Sequence, residues 1–234
     1  MNILAIDTSG PVCGVCVLAD GAVRSEYTAA NKLTHSANLL PMIDATLASA
    51  GMSLEQLDRI ACVVGPGSFT GVRIGVSTVK GLAHGAGKPC VAVNALEAMA
   101  FGVFDFDGIV CPIQDARAGQ VYGAAFRVKE GQLTRLLPDA PMKLEDFVQA
   151  VSALGDRFLF LGDGMPVHRE RLLQLLGDRA VFAPARFAFL RPASVAELAE
   201  QGTEELDYMH LMPLYLRPPN AEKNKKLVEA ASHE

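Results

Sequence analysis

An order of strand-like and helix-like apolar runs occurs twice along this 234-residue chain, and it limits the fold more than any single motif does. In the first half, residues 3–6, 13–18 and 22–27 read as three short strands, the last two joined by the turn Asp20-Gly21. A helix from near Thr34 to the stop at Gly51 follows, then a strand over 60–64, a helix from Gly71, a strand over 89–93 and a helical segment over 95–101. The second half offers strands over 109–114, 121–128 and 133–137, then helix 143–154, strand 157–161, helix 167–176, strand 179–182 and helix 193–201. Each half reads βββαβαβ. Strands that meet at hairpins and then alternate with helices predict an α/β chain of two domains, each a mixed sheet covered by helices. Asp105-Phe106-Asp107-Gly108 is the linker, dividing the chain into 1–104 and 105–234.

The first long helix is apolar on more than one side. Leu33, Ala37, Leu40, Ile43 or Asp44 and Leu47 keep helical spacing, while Leu39 and Met42 fall outside that stripe. Pro41 marks a kink or a late start. Ser53 and Gln56 form a capping-box pattern before the next strand.

Gly65-Pro66-Gly67-Ser68-Phe69-Thr70-Gly71 reads as a rigid loop between a strand and a helix. It is not a phosphate-binding P-loop, because Gly71 is followed by Val72-Arg73 rather than Lys-Ser/Thr. Nor is it a nucleophile elbow, since Pro66 and Thr70 stand where glycines would flank Ser68. Ser68 is a cap or turn residue. In the helix, Gly71, Gly75, Thr78 and Gly85 make a small-residue stripe, so another backbone is expected to dock there.

The net charge of −5 argues against a broad basic surface that holds nucleic acid unaided. Five cysteines, an odd number within apolar runs, do not suggest a disulfide framework. Asp7 interrupts the N-terminal apolar run too soon for a signal-peptide core, and no run reaches membrane-spanning length. A reducing, cytoplasmic location is expected.

The repeat aligns Asp7, in Asp7-Thr8-Ser9-Gly10, with Asp115, in Asp115-Ala116-Arg117; each follows the first strand of its half. Two readings stand: turn residues, or contacts to the phosphates and metal of a nucleotide between the domains. Cys13 and Cys16 have CxxC spacing, but residues three apart on a strand face opposite ways, so they read as structural. The histidines show no HxxxH pair and no metal site is expected. Gly162-Asp163-Gly164 is a strand-to-helix turn or a nucleotide contact, the turn being favoured. After Tyr215-Leu216-Arg217-Pro218-Pro219, Lys223, Lys225 and Lys226 belong to a solvated tail or a small RNA or partner contact.

These residues resemble the TsaB (YeaZ) family of tRNA threonylcarbamoyladenosine biosynthesis proteins. The resemblance rests on Ile6-Asp7-Thr8-Ser9, residues 65–83, Asp115-Ala116-Arg117 and Pro213-Leu214-Tyr215-Leu216-Arg217, and it covers essentially the whole chain. It implies an actin-like ATPase (ASKHA) fold and a role as partner of the TsaD threonylcarbamoyltransferase, together with the ATPase TsaE. It also implies a homodimer when the protein is alone, and tRNA contact only through the complex. The TsaD pattern Val-Asn-His-x-Glu-x-His, whose histidines bind metal, is matched by Val93-Asn94-Ala95-Leu96-Glu97-Ala98-Met99, which lacks both imidazoles. The resemblance therefore implies no catalysis by this chain. Its partner interface is expected at Leu39, Met42, Ile43, Gly71, Arg73, Ile74, Gly75, Thr78 and Leu82. Asp7, Thr8, Ser9, Gly10 and Asp115 are the nucleotide-contact candidates; no cofactor is expected for the chain alone, with ATP or ADP reserved for the assembled complex. An actin-like small-molecule kinase and a peptidase acting on TsaD are the competing readings.

Overall fold

The computed structural model describes residues 1–31, 33–202 and 204–217; the tail lysines Lys223, Lys225 and Lys226 lie outside the described residues. β1 (Asn2–Asp7), β2 (Cys13–Ala19) and β3 (Ala22–Ala29) are followed by α1 (His35–Ala50), β4 (Arg59–Gly65), α2 (Phe69–Ala86), β5 (Cys90–Asn94) and α3 (Ala95–Phe101). The order then recurs as β6 (Ile109–Asp115), β7 (Gln120–Lys129), β8 (Gln132–Lys143), α4 (Leu144–Ser152), β9 (Phe158–Leu161), α5 (Gly164–Leu176), β10 (Ala180–Phe182) and α6 (Pro192–Glu200). A short β11 (Glu205–Leu206) closes the series.

The duplication read from the sequence is also a duplication in space. One sheet runs β11-β5-β4-β1-β2-β3 and the other β10-β9-β6-β7-β8, so five strands of the first correspond to those of the second in order. β4 lies parallel to β1 and β5, as β9 does to β6 and β10, while each hairpin meander is antiparallel. This is the actin-like α/β architecture.

Successive strand residues face opposite sides, so each central strand serves two cores. Leu4 and Ile6 join the core beneath α1 and α2, while Ile3 and Ala5 face a core between the two sheets. In β6, Ile109, Cys111 and Ile113 face α4 and α5, and Val110 faces the shared core. Burial on both faces is why these strands are continuous apolar runs rather than alternating ones.

The shared core holds the last helix of each half. α3 lies against β6 and β7 of the second sheet, and α6 against β1 and β2 of the first. β11 then pairs antiparallel with β5, Glu205 opposite Val91. The division at 104/105 falls in the loop before β6 but does not capture this exchange. Val195, Ala196 and Ala199 of α6 are fully buried because they complete the inner face of the first sheet.

Three local readings are corrected. On α1 the buried stripe is Leu39, Ile43, Thr46 and Leu47; of the expected stripe Ile43 and Leu47 are buried, whereas Leu40 is 53% exposed and Leu39 takes its place in the core. The helix starts at His35 and carries Pro41 within it, without a late start. β8 runs on to Lys143 through Pro138 and Pro141; as an edge strand it tolerates the missing N–H groups. The capping box at Ser53 is present, its N–H donating to Gln56 Oε1 at 2.8 Å. Ser68 caps α2, its hydroxyl accepting from the Gly71 N–H at 3.2 Å.

Candidate functional site

The ends of β1, β4, β6 and β9 converge on a cleft of about 620 Å³ between the lobes. Its walls are Ser9, Gly10 and Pro11 after β1, Pro66 to Phe69 at the start of α2, Gln114 to Arg117 at the end of β6, Asp163 before α5, and a strap of residues 214–217. Ligand sites in open α/β sheets form at such carboxyl ends of strands, where the chain must turn and backbone groups are freed.

Of the five residues expected to contact a nucleotide, Ser9, Gly10 and Asp115 line this cleft. Asp7 and Thr8 do not. Asp7 is 4% exposed and its carboxylate accepts from the Ser9 N–H at 2.8 Å. Burial pushes its carboxyl up to about 6, against the opposing pull of the Ser9 hydrogen bonds and of His35. Thr8 is turned into the protein, its hydroxyl donating to the Gly71 carbonyl at 2.7 Å.

This contact identifies the backbone that the small-residue stripe admits. A Cβ on Gly71 or Gly75 would lie closer than 3.0 Å to the Thr8 carbonyl oxygen or hydroxyl, respectively. The backbone that docks on α2 is therefore the end of β1 in the same chain. Gly81 and Gly85, by contrast, face open space.

Asp163 belongs to the site more fully than the turn reading allowed. Burial, reinforced by the charges of Asp115 and Asp7, pushes its carboxyl up to about 7. Its Oδ1 is buried without a partner, as are His35 Nδ1 and both amide atoms of Gln114. Sequence reasoning passed over Gln114; the available signal was an uncharged polar side chain closing an otherwise apolar strand. His168 stands 3.4 Å from Asp115 through its Nε2, and His35 Nε2 donates to the Gly10 carbonyl at 3.0 Å.

The strap ties the cleft to α2. The Leu214 N–H donates to the Val64 carbonyl at 2.7 Å, and the Tyr215 ring lies 4.7 Å from that of Phe69. Arg73 stacks 3.7 Å over Phe69 and donates from Nε to the Tyr215 hydroxyl at 2.6 Å. Across the cleft, Arg217 donates to the Ala116 carbonyl at 3.1 Å.

A magnesium nucleotide, which the fold family implies, does not fit these side chains. Asp7 is sealed and hydrogen bonded, and two of the three acids are held towards their neutral form. Among the described residues no three His, Cys, Asp or Glu side chains converge to hold a metal ion.

The outer face of α1 and α2 is a second candidate surface. A shallow groove there is lined by Ser36, Leu39, Leu40, Phe69, Thr70, Arg73, Ile74, Ser77 and Thr78. Of the expected interface residues, Leu39 and Ile43 belong to the core beneath the helices, and Gly71 and Gly75 to the contact with Thr8. Arg73 is exposed, and Met42, Ile74, Thr78 and Leu82 are half-buried.

The segment that matches the TsaD histidine pattern is structural. Ala95 and Met99 are buried, Asn94 accepts from the Glu97 N–H at 2.9 Å and donates to Asp139, and Glu97 pairs with Arg135 at 2.7 Å. All five cysteines are buried and unpaired, and burial pushes every thiol up. Among the described residues no helix is long and apolar enough to cross a membrane.

Residues 23–225 match the family model described as TsaD, tRNA N6-adenosine threonylcarbamoyltransferase. The chain is 36% identical over 222 residues to the tRNA threonylcarbamoyladenosine biosynthesis protein TsaB of Bacillus subtilis, covering 95% of this chain and 96% of that one. It is 34% identical to the TsaB protein of Escherichia coli, over 93% and 95% of the two chains. Among solved structures, YeaZ from Pseudomonas aeruginosa superposes with a TM-score of 0.76 at 27% identity, over 92% of this chain and 99% of that one. Extent, identity and duplicated topology agree, and the chain belongs to the TsaB family within the TsaD-type fold.

Proposed function

We propose that this chain serves tRNA threonylcarbamoyladenosine biosynthesis as the non-catalytic partner of a TsaD threonylcarbamoyltransferase, acting together with the ATPase TsaE. The observation that carries the reading is the fate of residues 93–99. Where the TsaD pattern has histidines, Ala95 and Met99 are packed into the core between the sheets, and Asn94 and Glu97 brace the lobes instead of facing a substrate. A side chain without a lone pair of imidazole type cannot hold the metal that the TsaD histidines hold.

The outer face of α1 and α2 is the surface by which the chain meets TsaD, or a second copy of itself when alone. Leu40, Ile74 and Leu82 supply apolar contacts, and Gly81 and Gly85 permit a partner helix to approach closely. Transfer RNA is engaged only through the assembled complex, as the acidic net charge favours. A nucleotide, ATP or ADP, belongs to that complex and is completed by groups this chain lacks. The cytoplasm is where such a complex would work.

The test is reconstituted threonylcarbamoyl transfer to tRNA by TsaD and TsaE, with and without this chain, alongside size-exclusion chromatography of the mixtures. Transfer that requires the chain, and co-elution with TsaD, are expected. Full transfer without it, or turnover by this chain alone, would overturn the proposal.

A further inference from the structure

The cleft between the lobes concentrates buried polar atoms that have no protein partner. Gln114 is 2% exposed and neither Oε1 nor Nε2 is hydrogen bonded. Asp163 Oδ1 and His35 Nδ1 add to the set, and all three residues line the same cavity. Native proteins pair nearly all such groups, so a cluster of unpaired ones around one cavity points to a ligand that pairs them.

The charges around the cavity have two poles. On one side stand the carboxyl group of Asp163 and the amide oxygen of Gln114, with Asp115 beside them, already accepting from the Arg117 N–H at 3.1 Å and 3.4 Å from His168 Nε2. On the other side stands Arg217, held by the Ala116 carbonyl beside the Tyr122 ring; the well-exposed Arg117 lies between the two, its Nε 4.0 Å from Asp115 Oδ2. The first turn of the eighteen-residue α2 also opens into the cavity, at Ser68 and Phe69, and its free N–H groups favour an anion.

We propose that this cleft binds a small zwitterion, an ammonium beside a carboxylate as in a free α-amino acid, with the ammonium on Asp163 and Gln114 and the carboxylate at Arg217 and the start of α2. A monocation with three donors suits the Asp163 side better than a divalent metal. An ammonium satisfies acceptors one hydrogen bond at a time, whereas a metal needs several ionised ligands converging, which the described residues do not supply. Ionisation of Asp163, opposed by burial and by Asp115, becomes favourable when a cation arrives. The inference is independent of the assembly role: a chain that never met TsaD would still carry this site.

The experiment is thermal unfolding and calorimetry of the full chain with a panel of L-α-amino acids. Each is compared with its two halves, for alanine ethylamine and propionate, and the series is closed by magnesium ATP. At least one amino acid should raise the melting temperature saturably, with neither half doing so. Gln114→Leu and Arg217→Met should each weaken that binding by about tenfold or more, the effect of losing a charge-assisted hydrogen bond. Gln114→Leu separates a site from a structural role, because replacing an unpaired buried amide by an apolar side chain should leave the melting temperature equal or higher while binding is lost. No protection by any amino acid, equal protection by the separate halves, or tight magnesium ATP binding that Asp115→Asn abolishes would each overturn the proposal.

Discussion

The hydroxyl of Thr8 donates to the carbonyl of Gly71 across 2.7 Å, so the end of β1 is clamped onto the first turn of α2 with no side chain between the two backbones. Both walls of the cleft depend on this clamp, since Ser9 and Gly10 follow Thr8, and Ser68 and Phe69 precede Gly71.

Gly75→Ala should therefore destabilise the fold by about 1–3 kcal/mol, because its Cβ has to displace Thr8. Gly85→Ala, on the exposed side of the same helix, should stabilise it by about 0.5–1 kcal/mol through helix propensity and a restricted unfolded chain. Urea unfolding of the two variants decides the matter; equal effects would mean that the clamp does not set the approach of β1 to α2.

Stability should decline between about pH 4 and pH 7. Asp7 and Asp163 have carboxyls raised from the ordinary aspartate value of 3.8 to about 6 and about 7, so within that window the native state holds protons that the unfolded chain has released. The stabilisation is fully present below the unfolded value and is lost as pH rises through the native one. Asp163→Asn should flatten the slope and gain about 1–3 kcal/mol at pH 8, with little change at pH 4. Denaturant unfolding at several pH values reads this directly, and an unchanged slope in the variant would count against it.

Substitutions on the outer helices should separate binding from folding. Leu40→Glu and Ile74→Glu are expected to weaken association with TsaD, and self-association, by about tenfold or more while leaving the chain folded. Leu39→Glu, one residue away but in the core, should instead lower stability by several kcal/mol. Light scattering with circular dichroism distinguishes the two; if Leu40→Glu and Ile74→Glu both leave association intact, the partner surface lies elsewhere.

Arg73 and Tyr215 should be energetically coupled. A double-mutant cycle of Arg73→Met and Tyr215→Phe is expected to show about 0.5–1 kcal/mol of interaction, from the hydrogen bond of Arg73 Nε to the Tyr215 hydroxyl. Additive effects within error would mean that the strap is held by the Leu214 N–H and the Tyr215 ring on Phe69 rather than through Arg73.

The strand and helix order was legible in the sequence because each element is long enough to show its period and ends at Gly, Pro or a capping residue, as at Gly51, Ser53 and Ser68. What the sequence concealed depends on which way elements face after packing. Leu39 and Leu40 are adjacent leucines on one helix, and no local pattern says which enters the core. The stripe of Gly71 and Gly75 told of a close approach but not of the approaching backbone. The cleft acids were visible as Asp7 and Asp115, but which one reaches the cavity is set by the turn of Thr8. Gln114 and Arg217, far apart in the chain, line one cavity because the strap crosses the cleft.

The exchange of α3 and α6 between the sheets makes the two lobes one cooperative unit. Either half expressed alone would leave the inner face of its sheet bare, since the helix that covers it is encoded in the other half. Cut in the loop between α3 and β6, the two pieces should be insoluble or loosely collapsed separately and regain structure when mixed, each supplying the other's missing layer. The lobes are thus unable to swing apart as freely hinged domains, and changes of shape at the cleft must come from its loops and strap.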